Sequence, residues 1–177
     1  LPKLDNVAAP GQSQFFSAME NWGAILTFER ILLNDPAITS ASARQNLVTT
    51  QAHEVAHQWF GNLVTMAWWE DLWLNEGFAS WMETKATAHF HPDWFPLLGR
   101  VEGRETAMGL DGFKTTHPIV QEIKTVDETN QAFDAITYQK GEAVISMLEA
   151  FAGETVWRDG LRAYMRDHKF GNTRSKD

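Results

Sequence analysis

A histidine, a glutamate and a second histidine stand close together in the stretch His53-Glu54-Val55-Ala56-His57. Histidines four residues apart lie on one face of an α-helix, so both imidazoles can reach the same metal ion. Glu54 is rotated from the first histidine by about 100° around the helix axis. From there it can act on a metal-bound water without being a ligand. The pattern predicts a zinc site with His53 and His57 as ligands and Glu54 as the general base.

A catalytic zinc needs a third protein ligand and an open position for water. Glu76 follows His57 with eighteen residues between them, which is enough to end one helix, turn and begin an antiparallel one. We therefore predict one Zn²⁺ per chain, held by His53, His57 and Glu76. Glu83 lies two turns further along the same helical face and can accept a hydrogen bond from a ligand imidazole. An ordinary solvated glutamate at this position is equally consistent with the sequence.

The other four histidines show no metal-binding pattern. His89 and His91 are two residues apart, a spacing that does not place them on one helical face. His117 precedes Pro118 in an expected loop, and His168 lies at the end of an expected helix, where a cation is favoured. None of the four is assigned to a metal.

The composition limits the class of protein and its partners. The chain has 177 residues, of which 44% are hydrophobic and 21% charged, as in a globular domain. Its net charge of −8 and the absence of a basic run argue against nucleic acid or an anionic membrane as a partner. No apolar run approaches the ~18 residues of a membrane span. Without cysteine, any zinc must be held by histidine and carboxylate, and the compartment stays open between cytoplasm and periplasm.

The distribution of apolar residues predicts a single α+β domain over residues 1–177 that is mainly helical. Residues 1 to about 35 form a strand-rich edge with strand-like runs at 1–4 and 25–30, separated by a turn at Pro10-Gly11. Residues from about 40 to 177 are helical and contain the zinc site. Ser40 or Ser42 is the expected N-cap of the first long helix, and Gly61 its expected end. Further helices are predicted at about 74–90, 95–108, 136–151 and 155–168.

Three segments carry a resemblance to a known family. The run from His53 to Glu83 resembles the zinc segment of the aminopeptidase N family of gluzincins. The run Ser17–Asn21 resembles the family's exopeptidase motif GAMEN, and Tyr138–Gly141 resembles its Tyr-x-Lys-Gly segment. Ser17 replaces the glycine of GAMEN. Serine adds bulk and a hydroxyl there, which bears on side-chain preference and affinity more than on the type of reaction.

The resemblance implies a zinc metallo-aminopeptidase whose substrates are peptides with a free N-terminus. A zinc-bound water, activated by Glu54, would attack the scissile carbonyl, and Tyr138 would stabilise the oxyanion. Glu20 would bind the substrate's α-ammonium group. Ala18 and Met19 would contact the first side chain of the peptide, with Asn21 completing the substrate-binding segment.

The resemblance also implies a partial thermolysin-like catalytic domain with a few N-terminal antiparallel strands. The chain begins at Leu1 and ends in a charged segment, so we expect it to be a fragment that lacks the flanking domains of its relatives. Alternatives stay open: a related gluzincin acting as an epoxide hydrolase or an endopeptidase, or a zinc-binding fragment that is inactive in isolation. The motif around Glu20 argues against the endopeptidase.

Overall fold

The chain folds into a small N-terminal sheet followed by a mainly helical body, as the computed structural model of residues 1–14 and 16–177 shows. The helices are α1 (Glu29–Leu32), α2 (Ala41–Ala56), α3 (Trp73–Phe90), α4 (Pro96–Asp111), α5 (Val126–Gln131), α6 (Gly141–Ala152) and α7 (Glu154–His168). The strands are β1 (Asp5–Ala9), β2 (Ala18–Met19), β3 (Ala24–Phe28), β4 (Val64–Met66) and β5 (Gly171–Thr173). The predicted class, mainly helical α+β, is confirmed. None of the helices in the described part of the chain is long and apolar enough to cross a bilayer.

The N-terminal sheet corrects the prediction of purely antiparallel strands. Its order is β1-β3-β2; β2 and β3 are antiparallel, but β1 and β3 run parallel. The turn at Pro10-Gly11 does not make a hairpin, because β3 takes the central position between the two earlier strands. Ile25 and Thr27 on β3 are fully buried, and a central strand is where such residues are best covered. The first strand also begins at Asp5 rather than Leu1, and Pro2 has no backbone N–H for a ladder.

The helix that bears the histidine motif begins as predicted and ends earlier. Ser40 is its N-cap, since the Ser40 Oγ accepts a hydrogen bond from the Ala43 N–H at 3.1 Å. We predicted Gly61 as its end, but α2 stops at Ala56 and His57 is the C-cap. The chain leaves the helix here because it turns tightly through Phe60 and Gly61. Gly61 has φ +131°, a conformation that favours glycine.

A π-helical turn at Ile136–Lys140 precedes α6, where a single continuous helix was predicted. Asp134 determines this local structure, because its Oδ1 accepts hydrogen bonds from the N–H groups of Ile136 and Thr137 at 2.9 and 3.1 Å. The turn leads directly into Gly141, which lies against Gly77 of α3. A Cβ on either glycine would be 3.1 Å from backbone atoms of the other, so the two segments touch through their main chains.

Two differences lie between α3 and the π turn. Helix α4 extends to Asp111, three residues beyond its predicted end near residue 108. The polar stretch before residue 131 contains the short helix α5, which a capping box between Thr125 and Glu128 stabilises.

The core lies between the α2–α3 pair and the C-terminal helices. Phe60, Trp81 and Ile145 are its buried centre, and Trp157 of α7 packs against them. The strands β4 and β5 pair in parallel and bring residues 171–173 back beside the turn that follows α2. This arrangement fixes the turn that carries the second histidine.

Candidate metal centre

Helices α2 and α3 bring the three predicted ligands together. The Nε2 atoms of His53 and His57 are 3.0 Å apart, and the Glu76 Oε2 lies 3.2 and 3.3 Å from them. Ligand atoms bound tetrahedrally to zinc at about 2.0 Å are separated from one another by about 3.3 Å. The observed triangle therefore has the size that a tetrahedral zinc requires, with the fourth direction left for water or substrate. Within the described residues this is the one group of at least three His, Cys, Asp or Glu side chains that could hold a metal.

The outer nitrogen of each histidine ring has its own partner. The Nδ1 of His57 donates to the Phe60 carbonyl at 2.8 Å, and the Nδ1 of His53 lies 3.2 Å from the Glu83 Oε2. A proton held on Nδ1 leaves the Nε2 lone pair free to bind a metal and fixes the orientation of the ring. Glu83 therefore lies within hydrogen-bonding distance of the His53 imidazole.

The electrostatics of the three ligands call for a positive charge at their centre. Burial opposes protonation of His53, yet its hydrogen bonds with Glu76 and Glu83 raise its pKa to about 10. The pKa of His57 is raised against burial by the same carboxylate, Glu76. Burial opposes ionisation of Glu76, but its bonds with the two histidines lower its pKa to about 2. A divalent cation would supply this charge and leave the histidines neutral, as metal ligands must be.

Glu54 lies beside the three ligands without belonging to them. It is 6% exposed, and burial raises its pKa to about 7, partly opposed by the charges of the two histidines. A carboxylate with a pKa near neutrality can accept a proton and return it. This is the electrostatic situation that a general base needs.

Tyr138 reaches the same centre from the π turn. Its ring stacks on that of His53, with 6.0 Å between the centroids and 22° between the planes. Burial and the negative charge of the nearby Glu76 raise the pKa of Tyr138. The phenol therefore keeps its proton at physiological pH and remains a hydrogen-bond donor.

The segment around Glu20 is tied to the end of the histidine helix. Its carbonyl accepts hydrogen bonds from the side-chain amides of Gln58 at 2.9 Å and Asn62 at 2.7 Å. The Gln58 Oε1 in turn accepts from the Gly23 N–H at 3.1 Å. The negative charge of Glu20 contributes to the raised pKa of both Glu54 and Tyr138, so this carboxylate faces the same space.

The rest of the exopeptidase segment has a simple arrangement. Ala18 and Met19 form β2 and pair with β3; Ala18 is buried, whereas Met19 is exposed. The Asn21 carbonyl accepts from the Ala24 N–H in the turn that follows. The side chains of Met19 and Asn21 are exposed and therefore available to a ligand.

Gln58 and Asn62 are residues that the sequence reasoning missed. Gln58 is 3% exposed, and a buried amide must have hydrogen-bond partners. The sequence shows only a glutamine beside Trp59 and Phe60, which reveals neither its burial nor its partners. The histidines not assigned to a metal lie elsewhere: His91 stacks on Trp94, His89 contacts Phe90, His168 contacts Tyr164, and His117 pairs with Asp134.

Comparison with known proteins gives one consistent result. The model of the Peptidase family M1 domain matches residues 1–177. The chain is 42% identical over 177 residues to Aminopeptidase M1 of Arabidopsis thaliana, covering all of this chain and 20% of that relative. It is 42% identical over 178 residues to Tricorn protease-interacting factor F2 of Thermoplasma acidophilum, covering 22% of it. It is 41% identical over 179 residues to the thyrotropin-releasing hormone-degrading ectoenzyme of Rattus norvegicus, covering 17% of it. The chain thus spans about a fifth of the length of these curated relatives.

Proposed function

The chain belongs to peptidase family M1, and from that premise we propose that it carries the catalytic centre of a zinc-dependent aminopeptidase. One observation carries the proposal. The triangle of His53, His57 and Glu76 has the dimensions of a zinc site, and the segment of Glu20 is fastened beside it by Gln58 and Asn62. A metal site alone indicates a hydrolase of unspecified substrate. A carboxylate held next to it adds recognition of a cationic group.

His53, His57 and Glu76 would hold the metal. When bound, zinc supplies Lewis-acid polarisation of the scissile carbonyl and lowers the pKa of a coordinated water. Glu54 would take the proton of the attacking water and pass it to the leaving amine, which its raised pKa favours. Tyr138, protonated and stacked on His53, would donate to the oxygen on which negative charge develops.

Glu20 would bind the α-ammonium group of the peptide. Because its backbone is fixed at the C-terminal end of α2, the distance from the ammonium to the attacked carbonyl is fixed as well. That constraint restricts cleavage to the first peptide bond. The exposed edge of Met19 would contact the first side chain, with Ala18 behind it and Asn21 closing the turn.

The relatives are about five times longer than this chain, so we propose that the whole protein has further domains that wall the cleft. Residues 1–177 would form a single domain that lies next to these further domains. Its helical part would supply the metal site, and its strand-rich edge would supply the substrate segment. The substrates would be peptides with a free N-terminus, as the names of several relatives suggest.

The experiment measures metal content and hydrolysis of aminoacyl-anilides by the purified protein and its variants. We expect one zinc per chain and no hydrolysis of N-acetylated substrates. Glu54→Gln should keep the metal and lose ~10²–10⁴ in kcat, and Tyr138→Phe should lose ~10²–10³. Tyr164→Phe is the matched control, because the other tyrosine of the chain bonds to Thr173 at 2.7 Å, away from the metal ligands.

Three outcomes would contradict the proposal. Absence of bound zinc under metal-replete conditions would remove the ligand assignment. Full activity of Glu54→Gln would remove the assigned base. Equal cleavage of acetylated and free substrates would show that Glu20 does not recognise the ammonium group, and an endopeptidase would then be the better description.

A further inference from the structure

The imidazole of His117 has a hydrogen-bond acceptor at each ring nitrogen. Its Nε2 lies 2.7 Å from the Asp134 Oδ2, and its Nδ1 lies 2.8 Å from the Pro118 carbonyl oxygen. A backbone carbonyl and a carboxylate can only accept, so both nitrogens must donate. Only the doubly protonated imidazolium can make both bonds.

The surrounding charges are consistent with that state. Asp134 and Lys140 face His117 from the two ends of the π turn, and Asp111 faces it from the end of α4. Burial and Lys140 oppose the positive charge, but the bonds to Pro118 and Asp134 prevail and raise the pKa of His117. Lys140 is itself neutralised by Asp111, whose Oδ2 accepts from its Nζ at 2.7 Å.

Asp134 is also the anchor of the turn that carries Tyr138. Its Oδ1 accepts from the N–H groups of Ile136 and Thr137, and its main-chain carbonyl accepts from the Tyr138 N–H at 3.1 Å. The two oxygens of the Asp134 carboxylate therefore have different partners: Oδ1 bonds to the N–H groups of the π turn, and Oδ2 bonds to His117. The position of the Tyr138 backbone depends on the orientation of this carboxylate.

We propose that protonated His117 is a positioning residue for Tyr138, acting through Asp134 on the π turn. This inference rests on the proposed role of Tyr138 as a donor to the oxyanion. His117 touches neither the metal ligands nor the substrate segment. His117 orients the Asp134 carboxylate, and that carboxylate holds the π turn. In this way His117 determines where the Tyr138 phenol lies relative to His53 and Glu76.

The proposal predicts how kcat changes with pH. A histidine with a raised pKa makes its contribution in full below its ordinary pKa and loses it as pH rises through the raised value. Neutral His117 must give up one bond. In the tautomer that keeps its proton on Nδ1, the lost bond is the one to Asp134, and that carboxylate is then free to rotate. We expect kcat to fall on the alkaline side with little change in KM or zinc content.

Two substitutions of His117 separate its two bonds. His117→Gln retains a donor near the Nε2 position, so the bond to Asp134 persists and most of kcat should remain. His117→Asn retains a donor only near the Nδ1 position, and kcat should fall about tenfold through displacement of the phenol. His89→Asn, at an exposed histidine on α3, is the matched control and should resemble the unchanged protein.

Asp134→Asn provides a test that a merely structural role would not satisfy. Its Oδ1 can still accept from Ile136 and Thr137, while its Nδ2–H needs an acceptor and finds one only on neutral His117. The pH dependence should therefore reverse, with kcat rising as His117 loses its proton. ¹⁵N NMR of histidine-labelled protein provides a readout besides activity: both nitrogens of His117 should be protonated at neutral pH in the unchanged protein.

The outcomes distinguish this inference from the proposed function. If Tyr138→Phe reduces kcat and His117→Asn does not, the inference is wrong and the role of Tyr138 stands. If Tyr138→Phe is as active as Tyr164→Phe, the role of Tyr138 itself is refuted. If both variants lose activity, adding His117→Asn to the Tyr138→Phe variant should have no further effect. An additive loss in that double variant would also overturn the inference.

Discussion

Replacing Gly77 with alanine tests how rigidly helix α3 is held against the π turn. The added Cβ would meet the Cα and carbonyl carbon of Gly141 at 3.1 Å and the Ile145 Cδ1 at 3.3 Å. Carbon atoms in contact prefer separations of about 3.5–4.0 Å, so the segments must move apart by roughly half an ångström. The two closest atoms belong to the backbone, which cannot rotate away as a side chain can. The strain has to be absorbed by the backbones of α3 and α6.

The magnitude follows from two opposing effects. Alanine gains ~1 kcal/mol over glycine inside a helix, whereas overpacking costs ~1–3 kcal/mol. Gly77→Ala should therefore be neutral or destabilised by up to ~2 kcal/mol. Gly160→Ala is the matched control, because nothing lies within 4 Å of that position in α7, and it should gain the full ~1 kcal/mol. The two variants should differ in Tm by several degrees.

The catalytic consequence is distinct from the stability one. Gly77 is adjacent to the proposed ligand Glu76, and Gly141 is three residues from Tyr138, so separation of the segments changes the distance between the Glu76 carboxylate and the phenol. A displacement of this size should cost ~10- to 100-fold in kcat, with zinc retained because the three ligands move together on α2 and α3. Thermal unfolding, zinc content and kcat of both variants provide the assay. Equal Tm and kcat for the two alanine variants would refute the reasoning, since it would mean that the glycine contact relaxes without cost.

Three further substitutions test other contacts. Glu83→Gln removes the charge that faces His53 Nδ1, and chelator competition should show zinc affinity weakened ~10- to 100-fold; unchanged affinity would contradict this role. Burial raises the pKa of Glu142 from 4.5 to about 7, so its proton stabilises the folded state at low pH, and that stability, ~3 kcal/mol at most, is lost as pH rises from about 4.5 to 7. Tm between pH 5 and 8 should accordingly fall less for Glu142→Gln than for the unchanged protein, and parallel profiles would exclude this linkage. Thr125→Ala removes the cap of α5 and should lower the free energy of unfolding by ~1 kcal/mol without changing zinc content.

The elements that could be predicted are those whose signal is local. Helices α2 and α3 follow from apolar spacing, a serine N-cap and the distance between His57 and Glu76, and the structure brings these ligands within 3.3 Å of each other. The spacing of the histidines and the interval to Glu76 were therefore enough to predict that these three side chains meet, whereas their role as metal ligands stays a prediction. The roles assigned to Glu20 and Tyr138 stay predictions, although both face the same centre.

The features that could not be predicted depend on partners far away in sequence. The π turn forms because Asp134 caps it, and Asp134 is held by His117, seventeen residues earlier. Gln58 and Asn62 reach back about forty residues to the Glu20 carbonyl. The parallel pairing of β1 with β3 likewise reflects which strand is best buried, not a local turn signal. The spacing of apolar residues and the intrinsic helix and strand propensities carry no information about such contacts.

The pairing of β4 with β5 has a consequence for how the protein is made. Leu63 and Phe170 are joined by a main-chain hydrogen bond at the edge of this pair, next to the turn whose Phe60 carbonyl orients His57. Closing a loop of about a hundred residues costs roughly 4 kcal/mol in chain entropy, and only contacts formed afterwards offset this cost. At ~5–20 residues per second, a ribosome finishes residues 171–173 roughly 5–20 s after the histidine motif. On the nascent chain, the turn that orients His57 therefore lacks this support until residues 171–173 have been made, and zinc capture is expected to follow that step.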